Sequence, residues 1–442
     1  NMYLFFLLLF ETLLVIISYI VFRDILSPTF DMAVMFTFAT VLMLPYVRVW
    51  RVNFSFETIF IIITGLYLVF LIEWIVSTMN KRFHPKLLFG NPKVSLLQEK
   101  KRISQSYQVL ACLIQLVTLM LLWSEVKRIG GNWGETRNLY RLLNRYRIYT
   151  INGIDKVNFM TSQFMKISTA FGYCSVFWGI DGLVRHEKRG ALKENFLFIS
   201  SAILLIVQFL LNSTRGPIIN YVVFGIVIFY VKYQQRHSWR VQANKRIIRI
   251  ICVMAVFLFI VFSASRFLIG RDISETPIDN LARYFSGSLQ LFDLYIKNPV
   301  SRGRYWGEET FTGIIQSLYR WGSENVETFI SIALENRPVG NHTGNVYTIF
   351  RRPLHDFGYA GMYIFVSVVA LIFSYTYYFK IKYRECTDKR DLELFYYGYF
   401  YHWIISSVVE SYSFNLATST IVMVVMLAIL FKVYSKIRIK FF

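Results

Sequence analysis

Four short stretches of this chain hold arginines, carboxylates and histidines close enough together to handle an anion or a proton. The first is NSTRGP (212–217), a turn between two apolar runs that sets Arg215 beside Asn212, Ser213 and Thr214, with Gly216 and Pro217 letting the chain turn and restart a helix. A guanidinium fixed at the depth of a lipid phosphate binds a diphosphate bidentately. The bland alternative is a snorkelling interfacial arginine. The second stretch is RFLIGRD, where Arg266 and Arg271 leave an apolar run at the same depth and could meet a lipid-linked anion. The third, SRGRYWGEETFTG (301–313), gathers Arg302, Arg304, Tyr305, Trp306, Glu308 and Glu309. Aromatic rings beside carboxylates and arginines suit a sugar, which offers apolar CH faces and many hydroxyls, although Trp and Tyr are also ordinary membrane-interface residues. The fourth is GNHTGNVYTIFRRPLHDFGYAG (340–361). Here Asn341, His342, Thr343, Asn345 and Thr348 offer hydrogen bonds, and Arg351, Arg352, His355 and Asp356 lie close together. Asp356 stands at the N-terminal edge of an apolar run, where an acid would also serve as a helix cap.

These stretches have to be positioned by elements that composition identifies. Of the 442 residues 55% are hydrophobic, 18% aromatic and only 17% charged, with a mean hydropathy of +0.43. A soluble domain of this length could not bury so much apolar surface, so the chain reads as an all-α polytopic integral membrane protein. Its net charge of +21 falls in short segments between apolar runs, as in loops facing cytoplasm and anionic lipid, and not in a nucleic-acid-binding face. Cys112, Cys174 and Cys252 lie inside apolar runs and Cys386 in a basic loop, so none is placed for an extracellular disulfide or a CxxC metal site.

A crossing of the hydrocarbon takes about 20 apolar residues, which predicts about 11 spans (10–12): 2–22, 29–46, 55–77, 105–124, 163–184, 194–211, 217–233, 247–269, 357–379, 394–411 and 416–433. The first is read as a span and not as a removed signal, because it lacks a basic start and a small-residue cleavage site. No sheet is expected in lipid. The basic segments 81–102, 185–193, 232–249, 380–390 and 432–440 alternate to one side, called cytoplasmic. VRVWR (47–51) is basic yet falls on the other side in this count. The opposite face receives 125–163, the turn 212–217 and a large extracytoplasmic loop, 266–356, expected to contain short helices. From Arg266 to His355 that loop carries ten Lys or Arg against nine Asp or Glu, so position matters more than summed charge. Within 125–163, Arg137, Arg141 and Arg145 recur every four residues opposite Leu139, Leu142, Leu143 and Tyr146. This predicts an amphipathic helix, read as a lipid-headgroup anchor in preference to a guide for an anionic substrate. Glu11, Glu73, Lys166 and Asp181 are charges inside spans without the repeated pattern of a transporter.

GNVYT (344–348), DFGYAG (356–361), GEETF (307–311) and STRG (213–216) together resemble the Wzy-type oligosaccharide repeat-unit polymerases of bacterial O-antigen and capsule assembly, and the layout of many spans with two larger outer loops is similar. Arg302 to Gly313 also fits an Arg-x10-Gly spacing described in some members. The resemblance implies a single GT-C-like transmembrane domain over 1–442 in the bacterial cytoplasmic membrane, active on its extracytoplasmic (periplasmic) face. It implies a glycosyltransferase that joins undecaprenyl-diphosphate-linked oligosaccharides, with no metal, no cofactor and no nucleic acid, and with membrane lipids and a chain-length regulator protein as partners. In such an enzyme the departing diphosphate carries its charge into the transition state. Arg215 and Arg266 are the first candidates to stabilise it, with Arg271, Arg302, Arg304 and Arg352 as further substrate-binding groups. Asp356, His355, His342 or Glu410 would supply a base, and Asn345 and Tyr347 of the GNVYT motif would bind substrate. A ligase that moves glycan to a different acceptor would share these arginines. A lipid-linked oligosaccharide flippase, the non-enzyme alternative, would place its charges along the spans.

Overall fold

The computed structural model describes residues 2–83, 105–131, 138–185, 195–239, 276–300, 306–322, 336–340, 342–384, 387–411, 413–414 and 418–436, with single helical positions at 249, 253, 256 and 260. Seven helices among the described residues are long and apolar enough to cross a membrane: Met2–Phe22, Pro28–Tyr46, Phe56–Phe83, Gln105–Gly131, Phe159–Arg185, Gly216–Arg236 and Arg351–Ile381. Two shorter apolar helices, Phe196–Leu211 and Ser419–Val433, fall at predicted spans. The chain is a multi-pass α-helical membrane protein. The predicted span 247–269 lies almost wholly outside the described residues. The predicted span 394–411 is broken into Asp388–Phe400, His402–Ile405 and the 3-10 turn Ser406–Val408. The break has a cause: the carbonyl of Ser407 accepts the N–H of Ile349 at 2.7 Å and that of Val408 accepts the hydroxyl of Ser288 at 2.6 Å, so these carbonyls serve tertiary contacts.

The chain divides into two compact units. One comprises Asn1–Gly90, Thr276–Lys382 and Tyr401–Ile421, the other Asn91–Glu275, Tyr383–Phe400 and Val422–Phe442.

In the first unit, α1 (Met2–Phe22) buries Leu4, Leu7, Glu11, Leu14 and Ser18 at helical spacing and exposes Phe5, Leu9, Leu13, Ile16 and Ile20, an apolar outer face suited to lipid. Ser27 caps α2 (Pro28–Met43), its hydroxyl accepting the N–H of Phe30, with Pro28 in the first turn. The turn after α2 holds VRVWR: Trp50 is buried and stacks on Tyr46 at 4.8 Å, and its carbonyl accepts from Gln290 at 2.9 Å. That basic segment therefore has a structural place under a later helix. Next comes α3 (Phe56–Phe83), whose buried Glu73 accepts the N–H of Thr29 and the hydroxyl of Tyr378, both at 2.8 Å.

The described residues of the predicted large loop include two helices and a ribbon. Its main element, α9 (Pro277–Lys297), starts with a capping box between Thr276 and Asp279. It buries Ala282, Leu289, Leu291, Phe292 and Tyr295 and runs against α2, where Ser286 donates to the carbonyl of Ala39 at 2.7 Å. A short α10 (Thr312–Gly322) follows, then an antiparallel ribbon of β1 (Arg337–Val339) and β2 (His342–Gly344), turned at Gly340, φ 59°. This small ribbon lies outside every candidate span, so the expectation of no sheet in lipid is unaffected. It lies between helices in sequence and not in an apolar run, so its edges escape the lipid constraint. The last long helix, α11 (Arg351–Tyr375), continues as π-helix over Thr376–Ile381 and contains a break at Gly358 (φ 69°, ψ −170°). The unit also contains α13 (His402–Ile405).

The second unit contains α4 (Gln105–Gly131), α5 (Leu139–Ile151), α6 (Phe159–Arg185), α7 (Phe196–Leu211), α8 (Gly216–Arg236), α12 (Asp388–Phe400) and α14 (Thr418–Lys436). The predicted amphipathic helix exists as α5, capped by Asn138, but Leu142, Leu143 and Tyr146 pack on Leu122, Val126 and Ile129 of α4. Its apolar face is thus taken by protein, which corrects the lipid-anchor reading. Leu139, expected on that face, is exposed, and Arg137 lies outside the described residues. Between α6, α8 and α12, Lys232 is fully buried with Asp181 at 3.0 Å and Asp391 at 2.7 Å, while Arg185 reaches Asp181 at 2.7 Å. The intramembrane Asp181 therefore has charged partners, as burial demands.

Candidate functional site

The short helical stretch RRPLHDF that opens α11 is set apart by Gly358, whose conformation only glycine adopts without strain. Within it Arg351 and His355 are four residues apart and so share one face. Both meet Glu309, from the GEETF stretch. The guanidinium of Arg351 pairs with Glu309 Oε2, and His355 Nε2 stands 3.7 Å from Glu309 Oε1. On its other side His355 Nδ1 is 3.1 Å from the hydroxyl of Tyr295 in α9. The Arg351 guanidinium also lies 5.0 Å from the ring centre of Tyr295 and 4.9 Å from that of Tyr347, a two-ring cation–π setting. Glu309, Arg351 and His355 are all at most 2% exposed.

The next residues on the same stretch fix the turn that carries Glu309. Asp356 accepts the backbone N–H of Thr310 at 2.6 Å and that of Glu309 at 3.3 Å. Asp356 spends its carboxylate on a different segment and does not cap its own helix. Thr312 donates to the carbonyls of Glu309 at 2.6 Å and Glu308 at 3.1 Å. Arg352 donates from Nε to Glu410 at 3.1 Å and from Nη1 to the carbonyl of Glu309 at 3.2 Å. Glu410 in turn accepts the N–H of Ser411 at 2.9 Å. Every one of these residues belongs to the first unit.

The cluster stands at the Arg351 end of the candidate span Arg351–Ile381. Chemically it offers a carboxylate and an imidazole separated by slightly more than a hydrogen bond, two guanidinium groups and a buried tyrosine hydroxyl. Among the described residues no group of three or more His, Cys, Asp or Glu side chains could hold a metal ion.

Of the residues singled out from the sequence, the fold brings His355, Asp356, Arg352, Tyr347 and Glu410 into this neighbourhood. Asn345 is exposed two residues before Tyr347. His342 lies in β2, and its side chain is outside the described residues. Arg266, Arg271, Arg302 and Arg304 all lie outside the described residues. Arg215 lies in the second unit, nearly buried, immediately before α8. Its turn is held by Asn212, which accepts the hydroxyl of Tyr146 at 2.8 Å, and by Ser213, in the left-handed region at φ 55°. Burial of Tyr146 pushes its phenol pKa well up, so this donor stays protonated. Glu309 and Arg351 stand in stretches that the sequence singles out, without an individual role there, and Tyr295 is not singled out at all. The i,i+4 spacing of Arg351 and His355 is a usable signal for Arg351, whereas nothing local ties Glu309 to them and Tyr295 is an ordinary position in an amphipathic helix.

The sequence model of a family described as "Putative O-antigen polymerase" matches residues 147–389. No curated protein and no solved structure matches the chain.

Proposed function

This chain belongs to the O-antigen polymerase family, and from that premise we propose that it joins undecaprenyl-diphosphate-linked oligosaccharide repeat units at the extracytoplasmic face of the bacterial cytoplasmic membrane. The growing glycan passes from its lipid diphosphate to the non-reducing end of a new lipid-linked unit. The observation that carries the reading is the 3.7 Å separation of His355 Nε2 and Glu309 Oε1. A hydroxyl entering between them donates to one and is oriented by the other, so the pair serves as a general base. Loss of that proton lets the acceptor oxygen attack the anomeric carbon. The bond from that carbon to the diphosphate oxygen breaks, and the diphosphate leaves with the electron pair.

Tyr295 holds the imidazole from behind at Nδ1, and Arg351 holds the carboxylate. Arg352, whose side chain is 15% exposed against 3% for Arg351, is the guanidinium of this pair assigned to the departing diphosphate. Arg266, Arg271, Arg302 and Arg304 keep the same assignment from their segments. Asp356 acts through the turn it ties down and is a positioning residue. Arg215, fixed before α8 at the edge of the candidate span Gly216–Arg236, is assigned a lipid-borne phosphate.

The test is to incubate the purified protein with an undecaprenyl-diphosphate-linked repeat unit and resolve the products by length. A ladder is expected from the wild type and none from His355→Ala or Glu309→Gln. A wild-type product transferred only to a different acceptor would establish a ligase instead, and a ladder of wild-type length from His355→Ala would remove the base.

A further inference from the structure

Trp306 is 80% exposed, although it opens the turn that carries Glu309. Its ring centre lies 4.6 Å from that of Phe357, which in turn lies 6.0 Å from Phe311. The three rings form a short ladder with Trp306 at the open end. Two glycines make room for it. A Cβ on Gly307, which sits at φ 78°, would come 2.8 Å from the Phe311 ring, and one on Gly361 would come 2.1 Å from the Cβ of Phe357. The backbone under the ladder is held by Asp356 through Glu309 and Thr310. A large aromatic surface is thus kept out in the open by a rigid mount, three residues from the carboxylate of the candidate base.

We propose that Trp306 is a sugar-stacking platform, taking one pyranose ring of the lipid-linked repeat unit face to face. The C–H hydrogens on one face of a pyranose carry partial positive charge, and the face of an indole ring is the negative side of its quadrupole. Stacking also removes apolar area of both partners from water. The hydroxyls at the rim of the same sugar are left free to bond to polar groups of the turn. This inference rests on the polymerase reading of the neighbouring site and names the part of the substrate that the turn recognises.

The experiment compares wild type with Trp306→Ala, Trp306→Phe and Trp306→Leu in the same transfer assay. The side chain is exposed, so all four are expected to unfold at the same temperature. Loss of the ring is expected to raise KM about tenfold while kcat stays within about twofold. Phe should recover most of the loss and Leu little of it. Full recovery by Leu would mean apolar interface packing only, and an unchanged KM in Trp306→Ala would overturn the platform. A second measurement reads the platform without transfer. Titration of the lipid-linked unit into wild type should give a saturating change in intrinsic fluorescence that Trp306→Phe lacks. That change without any product ladder would sink the polymerase reading and leave the platform standing. A ladder with equal fluorescence changes in the two proteins would do the reverse.

Discussion

The carboxylate of Asp356 receives the backbone N–H of Thr310 at 2.6 Å and of Glu309 at 3.3 Å, so a residue within the opening turns of α11 sets the position of a carboxylate on a different segment. Asp356→Asn keeps one acceptor and turns an N–H2 toward the other N–H. The expected cost is about 1–3 kcal/mol for a buried donor left without its acceptor. It should be seen as a lower thermal midpoint in detergent together with shorter polymer. Wild-type values of both would remove the positioning role.

Glu309 and Arg351 are an almost fully buried ion pair. Arg351→Met leaves a buried carboxylate and is expected to destabilise by about 3–5 kcal/mol. The double variant with Glu309→Gln should regain part of that stability but no activity, because the base is gone. Thermal unfolding and the transfer assay read the two effects separately. Additive losses of stability would contradict a direct pair.

At Gly358 the backbone takes φ 69° and ψ −170°. Gly358→Ala forces a Cβ into a region that L-residues avoid, at about 1–3 kcal/mol, or straightens the helix and carries RRPLHDF with it. Activity is expected to fall below that of a surface control such as Lys389→Ala. Equal activity would show that the break does not position the cluster.

In the second unit Lys232 lies fully buried between Asp181 and Asp391. Lys232→Met removes a buried cation that serves both Asp181 and Asp391, and about 3–5 kcal/mol is the expected loss. Arg185→Ala should cost less, because Asp181 keeps Lys232. The ranking of the two thermal midpoints is the check, and a reversed order would show that Arg185 is the main partner.

Arg215→Ala is expected to abolish polymer while the protein still inserts and elutes as wild type. Arg215→Lys should be almost as poor, since a point charge lacks the guanidinium fork. Chains of wild-type length from Arg215→Ala would end the assignment of that residue.

Much of this protein was legible without coordinates. Runs of apolar residues long enough to cross hydrocarbon identify a membrane chain, because no other packing hides them. The short motifs STRG, GEETF, GNVYT and DFGYAG pointed to the polymerase family, and Arg352, His355, Asp356 and Glu410 were singled out by charge and spacing. The reading went astray where tertiary contacts override a local pattern. Segment 394–411 is apolar enough to span, but Ser407 and Val408 give their carbonyls to Ile349 and Ser288. The apolar face of α5 looked free for lipid, and α4 covers it. A loop of balanced charge turned out to hold α9, whose buried face shows itself only when α2 is there to receive it.

Hydropathy and motif are properties of contiguous residues, so the chain alone determined the membrane class and the stretches that carry chemistry. Which carboxylate faces which imidazole depends on residues far apart in sequence. Glu309 comes to His355 because Asp356 ties down its turn and Gly358 breaks the helix behind it, and Tyr295 joins them from α9. Only the packed structure decides such a pairing, because burial makes a charge take the partner within reach and contiguity in sequence does not supply one.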